Sequence, residues 1–117
     1  MAALLLWQGQ TMNESEFNQR VDDLLVQIED AIDASGADID YETSGGILTL
    51  DFADGSKIII NRQTPLKQLW LAAKSGGFHF DYDAGQDRWR SDQDGEEFFS
   101  ALNRYCSEQA GEDIELV

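Results

Sequence analysis

The chain has 117 residues, 42% of them apolar, enough for one domain with one real hydrophobic core. Its formal net charge of −15 argues against nucleic acid and anionic membranes as partners, and for metal cations or basic protein surfaces. Aromatic residues and clear periodicity rule out a disordered acidic tail, and Cys106, standing alone, rules out an intrachain disulfide and fits a reducing compartment.

The opening M-A-A-L-L-L-W lacks the basic flank and the apolar length of a signal peptide, and no run approaches membrane-spanning length. Residues 1–11 are read as an extension ahead of a start at Met12, residues 12–110 as the domain, and residues 111–117 as a tail. From Asn13 the spacing predicts a helix, with Asn13 as cap and Glu16 completing a capping box. Phe17, Val21, Leu24, Leu25, Ile28 and Ile32 form its apolar stripe. Asp22, Glu29 and Asp33 fall on one polar flank, Asp23 and Asp30 on the other, and Ser35-Gly36 ends the helix.

The next stretch, A-D-I-D-Y-E-T, alternates like a strand, with Asp38, Asp40 and Glu42 on one face and Ile39, Tyr41 and Thr43 on the other. Three like charges on one strand face repel, so the pattern needs a reason. Up to Asp54 the only base among these acids is Arg20. After an S-G-G turn, I-L-T-L-D-F puts Leu48, Leu50 and Phe52 on one face, and Ala53-Asp54-Gly55 signals a hairpin. K-I-I-I-N-R follows, then Pro65, L-K-Q-L-W-L-A-A, G-G-F-H-F-D-Y and R-W-R. Periodicity alone leaves L-K-Q-L-W-L-A-A open between helix and strand. A last helix is predicted from a cap at Asp94, with Glu97 three residues on and Phe98, Leu102, Tyr105 and Cys106 buried.

Helix, antiparallel strands, helix is an α+β pattern: a two-layer sandwich with both helices on one face of the sheet. The other face is then uncovered and carries Lys57, Ile59, Asn61, Gln68, Trp70, His79 and Asp81, beside Arg88 and Arg90. An exposed indole ringed by amides and bases reads as a protein-binding surface.

The run I-I-I-N-R-Q-T-P-L-K-Q-L-W-L-A-A-K-S-G-G-F-H-F-D-Y resembles the signature of the frataxins, and M-N-E-S-E-F with the acidic stretch resembles their bacterial branch. The resemblance covers about residues 12–110. It implies an α-β-α sandwich, with L-K-Q-L-W-L-A-A as a strand, in a cytoplasmic protein of iron–sulfur cluster assembly. It also implies weak iron binding on an acidic ridge of Glu29, Asp30, Asp33, Asp38, Asp40 and Glu42, with Asp22 and Asp23 upstream. The same ridge would dock on a cysteine desulfurase of the IscS type, near the cluster scaffold protein, with Asn61, Gln68 and Trp70 as a second contact. Ala34 and Ala37 stand where relatives carry further acids, which thins the ridge there.

A solvated helix face and a charge-guarded edge strand are the plain alternative for these acids. Clustering across two adjacent elements with almost no compensating base favours ligand binding. Carboxylates are hard oxygen ligands suited to iron held loosely in an exposed, multi-ion array, with ferrous, ferric or other divalent ions. His79 with Asp81, two residues apart on one face, is a weak secondary metal candidate. The loop D-Y-D-A-G-Q-D fails the calcium pattern, since its glycine is one position early and Asp92 stands where glutamate belongs. Cys106 on an apolar stripe reads as a structural thiol, and no nucleophile–base pair or phosphate loop occurs, so an enzyme is not expected. Two rival readings remain: an acidic decoy that mimics nucleic acid in a basic protein groove, and iron oxidation on the ridge.

Overall fold

The structure, a computed structural model, describes residues 12–116; the extension at residues 1–11 lies outside them. Helix α1 (Glu14–Ser35) starts from the capping box, in which Asn13 Oδ1 accepts from the Glu16 backbone N–H at 2.8 Å. It stops at Gly36, whose φ of 70° lies in the left-handed region that favours glycine. Six strands follow: β1 (Ile39–Ser44), β2 (Ile47–Phe52), β3 (Lys57–Gln63), β4 (Gln68–Ala73), β5 (Gly76–Asp83) and β6 (Arg88–Ser91). They pair antiparallel in chain order, β1-β2-β3-β4-β5-β6, so the sheet is a meander. Helix α2 (Phe98–Ala110) closes the chain against the same face as α1.

The core lies between the layers. Leu48, Leu50, Ile58, Ile60, Leu69, Leu71 and Phe80 supply it from the sheet, and Phe17, Val21, Ile28, Phe98 and Leu102 from the helices, all essentially without solvent contact. Burial alternates along β2, β3 and β4 as period-two sequences require. L-K-Q-L-W-L-A-A is therefore mainly strand, but only from Gln68. Its first residues belong to a 3-10 turn (Thr64–Leu66) set by Pro65, and Lys67 takes a left-handed φ of 51°.

The last helix corrects the expected start. Asp94 caps only a local turn, its carboxylate accepting from the Glu96 N–H at 2.9 Å. The chain from Ser91 to Glu97 stays tied to β6, through Ser91 N–H to Glu96 O at 2.8 Å and a bridge between Arg90 and Glu97. Glu97 is the true cap, accepting from the Phe99 and Ser100 N–H groups at 2.9 and 3.2 Å. Beyond α2, Ile114 and Leu116 are buried against the core.

The helix–sheet joint carries one buried polar clamp. Gln109 Oε1 accepts from the Lys74 backbone N–H at 2.9 Å, and its Nε2 donates to Ser56 Oγ at 3.0 Å and Lys57 O at 3.2 Å. Every group it meets is satisfied, which makes its burial tolerable.

Candidate functional site: an acidic edge and an uncovered sheet face

The alternation of β1 decides how the acids are arranged. Ile39 is buried toward α1, so Tyr41 and Thr43 lean the same way. Both hydroxyls reach acids of the helix: Tyr41 donates to Asp33 Oδ2 at 2.8 Å and Thr43 to Glu29 Oε2 at 2.6 Å. Asp40 and Glu42 project from the opposite side of the strand. The predicted ridge is thus two rows, one on α1 and one on the outer face of β1, separated by the thickness of an edge strand.

The other candidates divide further. Asp22 is neutralised by Arg62, whose Nη2 lies 2.6 Å away while its Nη1 holds Asn18 Oδ1 at 3.1 Å. Asp23 accepts from Gln19 Nε2 at 2.9 Å. Asp30 is exposed on the polar side of α1. Asp38 precedes β1 and lines a shallow hollow with Asp54 and Glu112 at the end of α2. Asp40 faces Asp51 across the β1–β2 ladder, and Asp51 is paired with Lys57.

The Tyr41 phenol registers the field of these acids. Its hydrogen bond to Asp33 pushes its pKa above the ordinary tyrosine value, with desolvation and the charges of Asp33, Glu29 and Asp30 adding to it. Among the described residues no three of His, Cys, Asp and Glu converge on one metal position. The acids form an open array, which offers hard oxygen donors without enclosing an ion. Each of Glu29 and Asp33 has two oxygens, so it can keep its hydroxyl partner and still present lone pairs outward.

The strand register maps the uncovered face row by row. Asn61 lies opposite Trp70, and Trp70 opposite His79. Gln68 lies opposite Asp81, and Asp81 opposite Arg90. The predicted partner-binding residues Asn61, Gln68 and Trp70 therefore form one patch, with Ile59 exposed in the neighbouring row. Trp70 stacks on His79 with ring centroids 4.4 Å apart and donates to Gln68 Oε1 at 3.1 Å.

The secondary metal pair resolves differently from its spacing. Asp81 shares a face with His79, but its Oδ1 accepts from Gln68 Nε2 at 3.1 Å. The carboxylate facing His79 Nδ1 is that of Asp92, at 3.7 Å. Sequence reading missed Asp92, because a residue beyond β6 carries no local signal of where the chain returns. It also passed over Tyr41 and Thr43, although their alternation with Ile39 placed them on the helix side. Arg90 does lie beside Asp81, with its guanidinium taken up by Asp83, Gln86 and the Gly95 carbonyl. The D-Y-D-A-G-Q-D stretch is the β5–β6 turn, where Asp83 Oδ1 accepts from the Gly85 N–H at 3.0 Å and Asp87 takes a φ of 54°. Burial pushes the Cys106 thiol up to about 12, in keeping with a structural role.

The chain is a two-layer sandwich with carboxylates along one edge and an indole on its uncovered face. A family model for a frataxin-like domain matches residues 10–112. The iron-sulfur cluster assembly protein CyaY of Vibrio vulnificus YJ016 is 56% identical over 104 residues, spanning 89% of this chain and 98% of that protein. CyaY of Pseudomonas aeruginosa PAO1 is 54% identical over 105 residues, 90% and 97% of the two chains. Among solved structures, frataxin from Psychromonas ingrahamii, of the CyaY family, superposes with a TM-score of 0.84 at 43% identity, covering 91% of this chain and 99% of that one. Trimeric frataxin from Saccharomyces cerevisiae, complexed with ferrous iron, gives a TM-score of 0.64 at 29% identity over 87% and 89%. The chain belongs to the frataxin-like family, on its bacterial CyaY side, as the N-R-Q-T-P to G-G-F-H-F run implied.

Proposed function

We propose that this chain is a non-catalytic, cytoplasmic iron-binding protein of iron–sulfur cluster assembly, acting on the cysteine desulfurase and its scaffold through its acidic edge. The observation that carries the reading is the edge itself: Glu29 and Asp33 held outward by Thr43 and Tyr41, Asp30 beside them, and Asp40 and Glu42 on the outer side of β1. The names of the Vibrio and Pseudomonas relatives support the assembly role, and the yeast structure supports iron as the ligand.

Exposed carboxylates bind a hard cation weakly, because water competes for it and salt screens the charge beyond about 8 Å at physiological ionic strength. Weak, open coordination suits an ion that has to be passed on. The same acids attract a basic groove on a partner, which raises the rate of encounter more than the final affinity. Trp70, with Asn61 and Gln68, supplies an aromatic anchor for a second contact. Iron and a basic partner neutralise the same carboxylates, so each binding event alters the other.

An NMR titration with the desulfurase, with and without ferrous iron, tests this reading. The expected result is perturbation of Glu29 to Asp33, Asp40, Glu42 and the Trp70 indole by the enzyme, with the enzyme's affinity changed by iron. Perturbation confined to the groove between α1 and α2, where Arg20 sits over the Tyr82 ring, would overturn it.

A further inference from the structure

The two edges of the sheet are finished differently. Beyond β6 the chain turns back on itself: the Ser91 N–H donates to Glu96 O at 2.8 Å and Arg90 bridges to Glu97, so the protein's own backbone covers that edge. Among the described residues β1 has no neighbour on its outer side. It is six residues long, pairs with β2 in unbroken register, and holds neither proline nor lysine, two common means of blunting an edge.

The hairpin fixes which backbone groups are left over. Gly45 and Gly46, with φ of 60° and 78°, make a two-residue turn that closes on Ser44 and Ile47. Such a turn hydrogen-bonds its flanking pair, and alternation along the ladder then bonds Glu42 with Thr49 and Asp40 with Asp51. The N–H and C=O groups of Tyr41 and Thr43 therefore point outward, away from β2. Ile39 keeps the same phase, since its N–H donates to Ala37 O at 2.9 Å and not to β2. Among the described residues nothing outside the sheet bonds the backbone of Tyr41 or Thr43; only their hydroxyls are engaged.

Charge selects what can pair there. Asp40 and Glu42 are exposed on one side of this edge, and Asp33 and Glu29 flank the other. A second copy of the edge would set carboxylates opposite carboxylates, which destabilises a cross-strand pair. A strand with Arg or Lys at alternate positions sets opposite charges together instead.

We propose that β1 accepts an extended basic segment of a partner protein as a seventh, antiparallel strand, bonded to the backbone of Tyr41 and Thr43 with its bases over Asp40 and Glu42. In strand addition the main chain supplies affinity and the alternate side chains supply specificity. The inference rests on the reading of the acidic edge as a docking surface, and it adds the form of what docks: an extended backbone.

The 15N-labelled full chain is titrated at low salt with acetyl-Arg-Val-Arg-Val-Arg-amide, and with the same peptide N-methylated on both valines. The methyl groups leave the charge unchanged and remove the N–H groups that would face Tyr41 and Thr43. The parent peptide should slow hydrogen exchange of the Tyr41 and Thr43 amides, and the methylated peptide should bind about tenfold more weakly, as two lost hydrogen bonds require. Asp40→Asn combined with Glu42→Gln should weaken the parent peptide several-fold. Equal binding of the two peptides, unchanged exchange at Tyr41 and Thr43 with peptide bound, or undiminished binding by the double variant would overturn strand addition while leaving an edge that docks by charge alone. Failure of both peptides to bind would overturn the inference together with the reading beneath it.

Discussion

Reversing one acid of the α1 row at a time separates repulsion from hydrogen bonding. Asp30→Lys removes a carboxylate of the α1 row, near Glu29 and Asp33, and no hydrogen bond to a described residue holds it. Relief of a few exposed like-charge contacts is worth about 0.2–1 kcal/mol in total, by analogy with exposed ion pairs. Asp33→Lys gains similar relief but deletes the 2.8 Å bond from Tyr41, a loss that offsets the relief even though water replaces part of it at this exposed site. Chemical denaturation at low salt should therefore rank Asp30→Lys above the parent chain, and Asp33→Lys level with it or below. The Asp30→Lys gain should vanish in 1 M salt, where the Debye length is about 3 Å. Asp33→Lys also removes the leading cause of the raised Tyr41 pKa, so alkaline titration of that phenol should move back toward the ordinary value. In the parent chain the sign of this shift means that Tyr41 contributes stability below its unfolded pKa, near 10, and loses it as pH rises through the folded value. Calorimetry against the desulfurase should show weaker docking for both variants. An Asp30→Lys protein that is less stable at low salt yet docks normally would refute the claim that these acids are kept for binding.

Trp70→Ala should cost about 1–2 kcal/mol in urea unfolding, from the lost stack on His79 and partial burial, well short of the ~3–5 kcal/mol of a core aromatic truncation; a core-sized loss would contradict its outward placement. Gln109→Leu leaves the Lys74 N–H and Lys57 carbonyl without their partner and should destabilise by about 2–3 kcal/mol, against no change if the clamp is idle. Manganous ions should broaden the amides of Glu29 to Asp33 and Asp38 to Glu42 first, and salt should abolish the effect; broadening centred on His79 would move the main metal site to the sheet face. Cys106 should react with a thiol reagent at pH 8 only as fast as the chain opens, because burial holds its pKa at about 12, and rapid labelling of the native protein would disprove that burial.

Local pattern was enough to read the layers of this protein, because burying one stripe or one face leaves a period that survives in the chain. Phe17 to Ile32 had to be a helix against a core, and Leu48, Leu50, Ile58 and Ile60 had to share a sheet face, so Trp70 had to share its face with Asn61. The family signature settled L-K-Q-L-W-L-A-A, where length and period were ambiguous. Long-range contacts were another matter. Asp94 is the cap that local preference selects, and only the tether of Ser91 to Glu96 gives the helix start to Glu97. The acids of α1 and β1 look like one ridge in sequence, yet Tyr41 and Thr43 stand between them, because an edge strand packed by Ile39 turns its alternate residues toward the helix. Asp92 reaches His79 only because the chain doubles back past β6, and a hydrogen bond made across a sheet leaves no spacing behind in the sequence.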